Sequence, residues 1–169
     1  MRAVPGMIAA VLVLSTGHAI TALAADATAA APTPKPTQVQ SRELHQVLEQ
    51  APVAENLKVS WQEALPAMEP VVSFLACYPG WDAWTHLAAY QVPGFSGSTY
   101  YLSAISATRY HDPGKCMSIR HIHSVKQRPD GTLTFRVLFY DVDSNEEADR
   151  TFGMLRQANG TWLFARGGF

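Results

Sequence analysis

The spacing of apolar residues changes once along the chain, from a helical period to a period of two. Early in the chain Leu44, Val47 and Leu48 lie three or four positions apart, as residues do on one face of a helix. We expect Ser41 to cap this helix and Pro52 to end it. The first predicted element is therefore a short amphipathic helix.

Further helical segments are predicted before the period changes. Apolar residues recur at helical spacing over residues 57–68, and Pro66 is expected to break or kink that segment. Pro70 suits the first turn of a third segment over residues 71–78, which is apolar nearly all round and so is predicted to be buried. Residues 81–90 predict one more short helix.

From Gly94 onward the pattern predicts strands. The expected strands cover residues 100–110, 117–125, 133–139, 148–157 and 161–166, with turns at 111–114, 128–131, 143–145 and 159–160. In these turns Gly131 is free to adopt positive φ, and Asn159–Gly160 matches a type I′ turn. Helices followed by strands joined by tight turns predict an α+β domain, with N-terminal helices packed on one face of a curved, four- to five-stranded antiparallel sheet.

Strict alternation also predicts the two faces of the second strand. One face would carry Met117, Ile119, His121, His123 and Val125. The other would carry Ser118, Arg120, Ile122 and Ser124.

The first 25 residues resemble a secretory signal peptide. Arg2 precedes an uncharged, mostly apolar run that ends in the small-residue pattern Ala22–Leu23–Ala24. The alternative is an uncleaved anchor, since the uncharged run is long enough to cross a bilayer. Thr16–Gly17–His18 interrupts the run and favours a cleaved signal, hence a periplasmic or secreted protein without stable membrane insertion.

Residues 26–40 are predicted to form a disordered linker, and residues 41–169 a single domain. The linker is rich in alanine, proline and threonine, which favour an extended spacer over a core. It would act either as a tether or as a disordered segment left after export.

Composition excludes some classes of function. The chain has 169 residues, of which 47% are hydrophobic and 16% charged, so it is not disordered throughout. A net charge of −1 provides no field to hold nucleic acid.

Cys77 and Cys116 are the only cysteines. An even number in an exported chain favours a structural disulfide. The alternative, a redox or nucleophilic thiol, lacks support because neither residue lies in a C-x-x-C motif.

The most suggestive chemical pattern is His121–Ile122–His123. Residues two apart on a strand point the same way, so both imidazoles could reach one metal ion or one phosphate. His111 or Asp112, in the preceding turn, or Asp141 could supply a further ligand. The alternative places both histidines on the open face of the sheet or in the mouth of its concavity. H-x-H alone does not define a metal site, and we predict no cofactor.

Other polar and aromatic patterns have structural explanations. Asp141 and Asp143 could form an acid–base pair, but they lie where a strand enters an acidic turn. Asn159 begins a glycosylation sequon that the turn alone explains. Aromatic residues around the helix-to-sheet transition either line an apolar pocket or form the core: Trp61, Phe74, Tyr78, Trp81, Trp84, Phe95, Tyr100 and Tyr101. No catalytic motif is present.

The chain order and its final hairpin resemble the NTF2-like (cystatin-like cone) superfamily. The resemblance lies in residues 151–157, followed by Asn159–Gly160 and then Trp162. It implies helices on one face of a strongly bent sheet and leaves the activity open, because this fold has many functions.

A second resemblance lies in residues 77–87, where Pro79 and the Gly80–Trp81 pair open a short helix. This segment, with Trp61 and Glu63–Ala64 earlier in the chain, is similar to the IcmL/DotI-like periplasmic domains of type IV secretion and conjugation systems. Members of that family have an inner-membrane helix and do not require the cysteine pair. The resemblance implies a non-enzymatic assembly module.

Two hypotheses follow. In the first, the protein is a periplasmic interaction module that binds envelope or secretion-system proteins through surface residues such as Arg120 and Arg136. A homodimer is a separate alternative for the partner. In the second, it is a small-molecule binder or a cyclase- or isomerase-like enzyme whose apolar cavity is served by His121, His123 and Asp141. A purely structural envelope role is indistinguishable at this point.

Overall fold

The computed structural model describes residues 38–78, 82–97 and 114–167, and in these ranges helices precede a five-stranded sheet. The helices are α1 (Gln38–Glu49), α2 (Lys58–Cys77) and α3 (Ala83–His86), with 3-10 turns at Glu55–Leu57 and Ala88–Tyr90. The strands are β1 (Gln91–Gly97), β2 (Ser118–Gln127), β3 (Leu133–Asp141), β4 (Glu146–Arg156) and β5 (Trp162–Gly167). The predicted α+β class is confirmed.

The strand order in the sheet is β1-β5-β4-β3-β2, and the sheet is curved and unclosed. The pairings β2–β3, β3–β4 and β4–β5 are antiparallel, as tight turns require. β1 pairs with β5 in parallel, so the sheet is mixed. A parallel pairing is possible because β1 and β5 are separated in sequence by the whole of β2, β3 and β4.

β1 (Gln91–Gly97) was not predicted, because the sequence pattern placed the first strand at residues 100–110. Proline and glycine disfavour a regular strand. Pro93 and Gly94 both lie where the β1–β5 register shifts, between Gln91 and Ser96. Gly94 has a φ of 76°, which a glycine adopts without strain. The predicted strand over residues 100–110, the turn at 111–113 and Trp81 lie outside the described residues.

α2 corrects the prediction of two helices divided at the prolines. It continues from Lys58 to Cys77 with Pro66 and Pro70 inside it. The two prolines remove the hydrogen bonds to the carbonyls of Gln62 and Pro66, both exposed residues. Water can satisfy these carbonyls, while the opposite face of the helix stays buried along its length.

The ends of the other helices also differ from prediction. α1 begins at Gln38, so Ser41 lies inside its first turn and is not the N-cap. Glutamine favours helix, which allows the element to start before the serine. The helix expected over residues 81–90 is split into α3 and a 3-10 turn, with Leu87 between them.

The core lies between the helices and one face of the sheet. Trp61 of α2 is 1% exposed; its indole N–H donates to the Leu48 carbonyl at 2.9 Å, and its ring meets Phe135 edge-on at 5.5 Å. Trp84 is also buried and contacts Phe164. Both tryptophans therefore belong to the core, as the simpler of the two alternatives predicted. The largest fully buried side chains are Trp61, Phe135, Phe139, Phe152, Phe164, Leu48, Met68, Leu75, Ile122, Leu133 and Met154.

Two hairpin turns share one construction. In each, a glycine of positive φ follows a turn residue whose side-chain oxygen accepts a backbone N–H: Asp130 accepts from Thr132 at 3.0 Å, and Asn159 from Thr161 at 3.1 Å. The predicted positive φ of Gly131 is confirmed at 83°. Gly160 alone has positive φ in the second turn, so the type I′ prediction is wrong; the loop has a third residue, which allows a type I turn and a glycine bulge.

The predicted disulfide between Cys77 and Cys116 is confirmed. It joins the end of α2 to the residues just before β2, and next to it the Met117 N–H donates to the Ala76 carbonyl at 2.8 Å. The bond closes a loop with a sequence separation of 39. It therefore links the helical half of the domain to the strand half.

Candidate functional site: the open face of the sheet

The face of the sheet opposite the core carries a dense set of charged and polar side chains. On β3, Leu133, Phe135, Val137 and Phe139 are buried, and the intervening residues are only partly buried. Among the described elements no helix covers that second side, which we call the open face. Its members on β2, β3 and β4 are Arg120, His121, His123, Lys126, Thr134, Arg136, Leu138, Tyr140, Glu147, Asp149 and Thr151.

β2 contributes to the open face in a register that the sequence did not predict. The pairing with β3 shifts between Ile119 and His121, and again between His123 and Lys126. Each shift inserts one extra residue, as a β-bulge does, and reverses the alternation. Ile122 is therefore buried in the core, while His121 and Arg120 are both exposed. The predicted division of this strand into two strictly alternating faces is wrong for this reason.

The second bulge has a local backbone cause. Ser124 has a φ of 56°, one of two positive values found for non-glycine residues in the described ranges. Its hydroxyl lies 3.0 Å from His123 Nδ1. The bulge thereby turns Val125 into the core and leaves His123 directed at β3 and β4.

Asp149 is the centre of the open face. Its carboxylate is bound by Arg136 in a two-point contact, with Nη2 at 2.7 Å from Oδ2 and Nε at 3.1 Å from Oδ1. His123 Nε2 lies 3.3 Å from the same Oδ2, and the ring of His121 lies 5.2 Å from that of His123. The carboxylate joins three neighbouring strands, since Arg136 lies on β3, His123 on β2 and Asp149 on β4.

A second contact group lies beside this cluster. The guanidinium of Arg120 stacks over the ring of Tyr140 at 3.5 Å from its centre, and its Nη1 lies 3.6 Å from Glu147 Oε1. The Tyr140 hydroxyl donates to Asn145 Oδ1 at 2.7 Å. Arg120 is therefore held flat against the sheet while its side chain stays 46% exposed.

The residues predicted to bind a metal ion do not all lie close together in the structure. His121 and His123 are neighbours on the open face, as H-x-H spacing predicted. Asp141 is buried, alternates with the core residues of β3, and accepts the Asp143 N–H at 2.9 Å, so it lies on the other face. His111 lies outside the described residues. In the described part of the chain, no three His, Cys, Asp or Glu side chains are placed to hold a metal ion together.

Asp143 does not share a strand face with Asp141 either. β3 ends at Asp141, and Asp143 lies in the following turn, where its Oδ2 is 2.6 Å from Lys115 Nζ. A partly exposed ion pair accounts for Asp143. The simpler alternative, a solvated strand end, therefore fits Asp143 but is wrong for Asp141, which is buried.

Arg150 is a charged residue that the sequence did not single out. It alternates with Ala148 and Phe152 on the core side of β4, and burial lowers the pKa of its guanidinium. Its Nη1 donates to the Asp149 carbonyl at 3.2 Å, and its Nε is buried without a hydrogen-bond partner among the described residues. No pattern in the sequence distinguishes it from the arginines of the open face.

A second polar cluster lies at the end of α2 and was also missed. The Tyr78 hydroxyl donates to Asp82 Oδ1 at 2.6 Å and lies 2.9 Å from His86 Nε2. We call these residues the Tyr78–Asp82–His86 cluster. The hydrogen bond to Asp82 raises the pKa of Tyr78 to about 12 and lowers that of Asp82 below its ordinary value. The four-residue spacing of Asp82 and His86 is the sequence feature that could have indicated the pair.

A surface groove lies between α2, the Ala88–Tyr90 turn and the β4–β5 hairpin. It encloses about 410 Å³, and Glu63 at its edge is bound by Arg156 at 3.0 Å. Its lining residues are Glu63, Pro66, Ala67, Ala89, Tyr90, Gly160, Thr161, Trp162 and Leu163. His121, His123 and Asp141, the residues expected at a cavity mouth, do not line it.

We compared the chain with known proteins and found no relative. The chain matches no protein-family model, no curated protein and no solved structure. Within the described ranges, none of the helices combines the length and the apolar character needed to cross a membrane.

Proposed function

We propose that the protein is an exported interaction module that binds another protein of the cell envelope through the open face of its sheet. The observation that carries the proposal is the Asp149 cluster with Arg120 beside it. Partly exposed arginines on a sheet face that no described helix covers offer directional contacts to carboxylates and carbonyls of a partner. We assign the open face a binding role and no catalytic role.

The proposal includes export of the protein to an oxidising compartment. A signal peptide over residues 1–25 would deliver the chain to an oxidising compartment, where the Cys77–Cys116 disulfide forms and persists. The resemblance of residues 77–87 to IcmL/DotI-like domains suggests a component of a type IV secretion or conjugation apparatus as the partner. The α+β architecture is compatible with an NTF2-like module.

The balance of charge indicates the chemistry of the partner surface. Arg120, Lys126 and Arg136 lie on the open face with two acidic residues, Glu147 and Asp149. A partner surface rich in carboxylates therefore suits this face best.

The test compares two single loss-of-charge variants in cells. Arg120→Ala removes an exposed cation from the open face, and Lys58→Ala removes one from α2, where Lys58 contacts only Glu55, three residues away, among the ion pairs of the described residues. Both chains are tagged, expressed at native level and purified after crosslinking, and the co-purifying proteins are identified by mass spectrometry.

We expect one envelope protein to co-purify with the native chain and with Lys58→Ala, and to be depleted several-fold with Arg120→Ala. Equal recovery with all three chains contradicts the surface assignment. Recovery of only a monomer or a self-dimer contradicts the proposed function.

A second candidate function rests on the groove beside α2. Its volume of about 410 Å³ lies in the range of small-molecule sites, and Tyr90 and Trp162 provide aromatic walls. This favours binding of an apolar small molecule. Apolar ligands should then raise the melting temperature of the native chain but not of Ala67→Trp, which fills the groove. No ligand-dependent shift in the native chain contradicts this candidate.

A further inference from the structure

The Tyr78–Asp82–His86 cluster places three different metal-binding groups within one small triangle. The Tyr78 hydroxyl is 2.6 Å from Asp82 Oδ1 and 2.9 Å from His86 Nε2, and the latter is 3.4 Å from Asp82 Oδ2. The cluster includes no residue of the open face, so its role is independent of the proposed function.

We propose that Tyr78, Asp82 and His86 form a binding site for a transition-metal ion, with Fe³⁺ as the preferred ion. The phenolate of Tyr78 supplies the third donor that the His, Cys, Asp and Glu residues of the described chain do not provide. The other coordination positions are left to water or to a small ligand.

Two of the three distances between the donors already suit a metal. With bonds of about 2.0–2.1 Å to nitrogen and oxygen, two neighbouring ligands lie about 3.0 Å apart at a right angle and about 3.4 Å apart at a tetrahedral angle. The Tyr78 oxygen lies 2.9 Å from His86 Nε2, which lies 3.4 Å from Asp82 Oδ2, so these two separations match the two angles. The Tyr78 oxygen and Asp82 Oδ1, 2.6 Å apart in their hydrogen bond, would move apart when an ion replaces the proton between them.

The surrounding structure holds the three groups in place. Phe74 stacks on the ring of Tyr78 at 4.9 Å and lies 6.0 Å from the ring of His86. The Asp82 carbonyl accepts both the backbone N–H and the hydroxyl of Thr85, which anchors Asp82 at the start of α3. Tyr78 also follows Cys77 directly, so the disulfide constrains the chain at this point. Such support is what a metal site needs before the ion arrives.

The donor set explains the choice of ion. A phenolate and a carboxylate are hard, anionic oxygen donors, and an imidazole is a common ligand of iron, copper and zinc. The side chains of Asp82 and His86 are 58% and 49% exposed, so an ion has access from solvent. A small, highly charged ion gains most from two anionic oxygens, which favours Fe³⁺ over divalent ions.

Binding releases one proton. The Tyr78 hydroxyl loses its proton to solvent as the oxygen–metal bond forms, no electron is transferred, and the Asp82 carboxylate exchanges its hydrogen bond for the ion. The ion and this proton compete for the same phenol oxygen. Apparent affinity should therefore increase with pH.

The experiment titrates the full, disulfide-bonded chain with Fe³⁺ supplied as its citrate complex. We expect a visible phenolate-to-iron charge-transfer band that saturates at one ion per chain. Tyr78→Phe should lack the band, since it keeps the ring that stacks on Phe74 but removes the oxygen. Asp82→Asn and His86→Gln should weaken binding by about tenfold or more, the scale on which even an indirect metal contact matters.

Tyr140→Phe is the matched control, because it removes a tyrosine hydroxyl that donates to Asn145 and lies outside the cluster. It should leave the band unchanged. No band in the native chain, or an equal band in Tyr78→Phe, overturns the proposal. Should Tyr78→Phe fail to fold, unchanged affinity in both Asp82→Asn and His86→Gln overturns it instead.

Discussion

Asp149 is the residue that organises the open face. One carboxylate accepts the two-point contact from Arg136 and the approach of His123, and so joins β2, β3 and β4. The histidine pair was visible in the sequence, but Asp149 was not, because it lies more than twenty residues away and meets His123 only through the strand register.

Replacement of Asp149 by alanine should destabilise the fold modestly. The carboxylate is 29% exposed, so its contact with Arg136 is partly screened by water. We expect a loss of about 1 kcal/mol in the free energy of unfolding, measured by urea denaturation, the upper end for partly exposed pairs. Glu147→Gln, which loses only the 3.6 Å contact with Arg120, should cost less than about 0.5 kcal/mol. Equal losses would contradict the central position of Asp149.

Tyr78 should titrate well above the ordinary pKa of a tyrosine. Its hydrogen bond to Asp82 raises the pKa of the phenol from 10.0 to about 12. A raised pKa means that the stabilisation is complete below the ordinary value and is lost as pH rises from about 10 to about 12. In a spectrophotometric titration of phenol absorbance, Tyr78→Phe should remove the component near 12, and Asp82→Asn should shift it downward.

The pKa of Asp82 is shifted in the opposite direction, so its effect on stability appears at acid pH. The same hydrogen bond lowers the pKa of its carboxyl below the ordinary 3.8, so its contribution is complete above that value and is lost as pH falls through the lowered pKa. A titration of Asp82 at or above 3.8 would show that the bond to Tyr78 is absent in solution.

At the scale of elements, α2 shows that proline does not always end a helix. Pro66 and Pro70 each predicted a break, yet the helix continues through both. The reason is its buried face: Ala64, Met68 and Val71 are fully buried against the rest of the core. Tertiary packing offsets the lost backbone hydrogen bonds, and a sequence pattern does not record how much packing a segment will gain.

Pro66→Ala should therefore stabilise the protein. The substitution restores an N–H that can donate to the Gln62 carbonyl, on an exposed part of the helix where no core contact is lost. We expect a gain of about 1–2 kcal/mol in the free energy of unfolding, less than the full helix penalty of about 3 kcal/mol because proline also restricts the unfolded chain. A loss of stability would show that the ring itself packs favourably.

β2 is the second element whose local pattern differs from its structure. Its period-two pattern correctly predicted a strand and placed His121 beside His123, but two bulges reversed the faces around them. β-Bulges depend on the pairing with β3 and on the positive φ of Ser124, neither of which polar–apolar alternation reveals. By contrast, the regular alternation of β3 was predicted in full, because β3 pairs with β4 without a register shift.

At the scale of the whole molecule, the disulfide links the two halves of the fold. Cys77 and Cys116 close a loop of about 40 residues, for which loss of chain entropy in the unfolded state predicts about 4 kcal/mol of stabilisation. The Cys77→Ala/Cys116→Ala double variant should lose about that amount. A reducing agent should destabilise the native chain similarly and leave the variant unaffected. An unchanged midpoint on reduction would contradict a stabilising role for this bond.

The order of helices and strands, four of the five strands, the hairpin turns and the disulfide could all be predicted from spacing and turn chemistry. The proposed binding surface could be predicted only in part, since Arg120 and Arg136 were identified but not their contacts. Those contacts arise from the register of three strands and from bulges, which are properties of the assembled sheet.

The most direct measurement is site-specific photo-crosslinking from two positions in living cells. A photoreactive side chain replaces Leu138, which pairs between His121 and Asp149 on the open face, or Val59, which is 72% exposed on α2. The account predicts that position 138 crosslinks to one envelope protein and position 59 does not. Crosslinks from position 59 alone, or from neither position, would contradict the assignment of the open face as the binding surface.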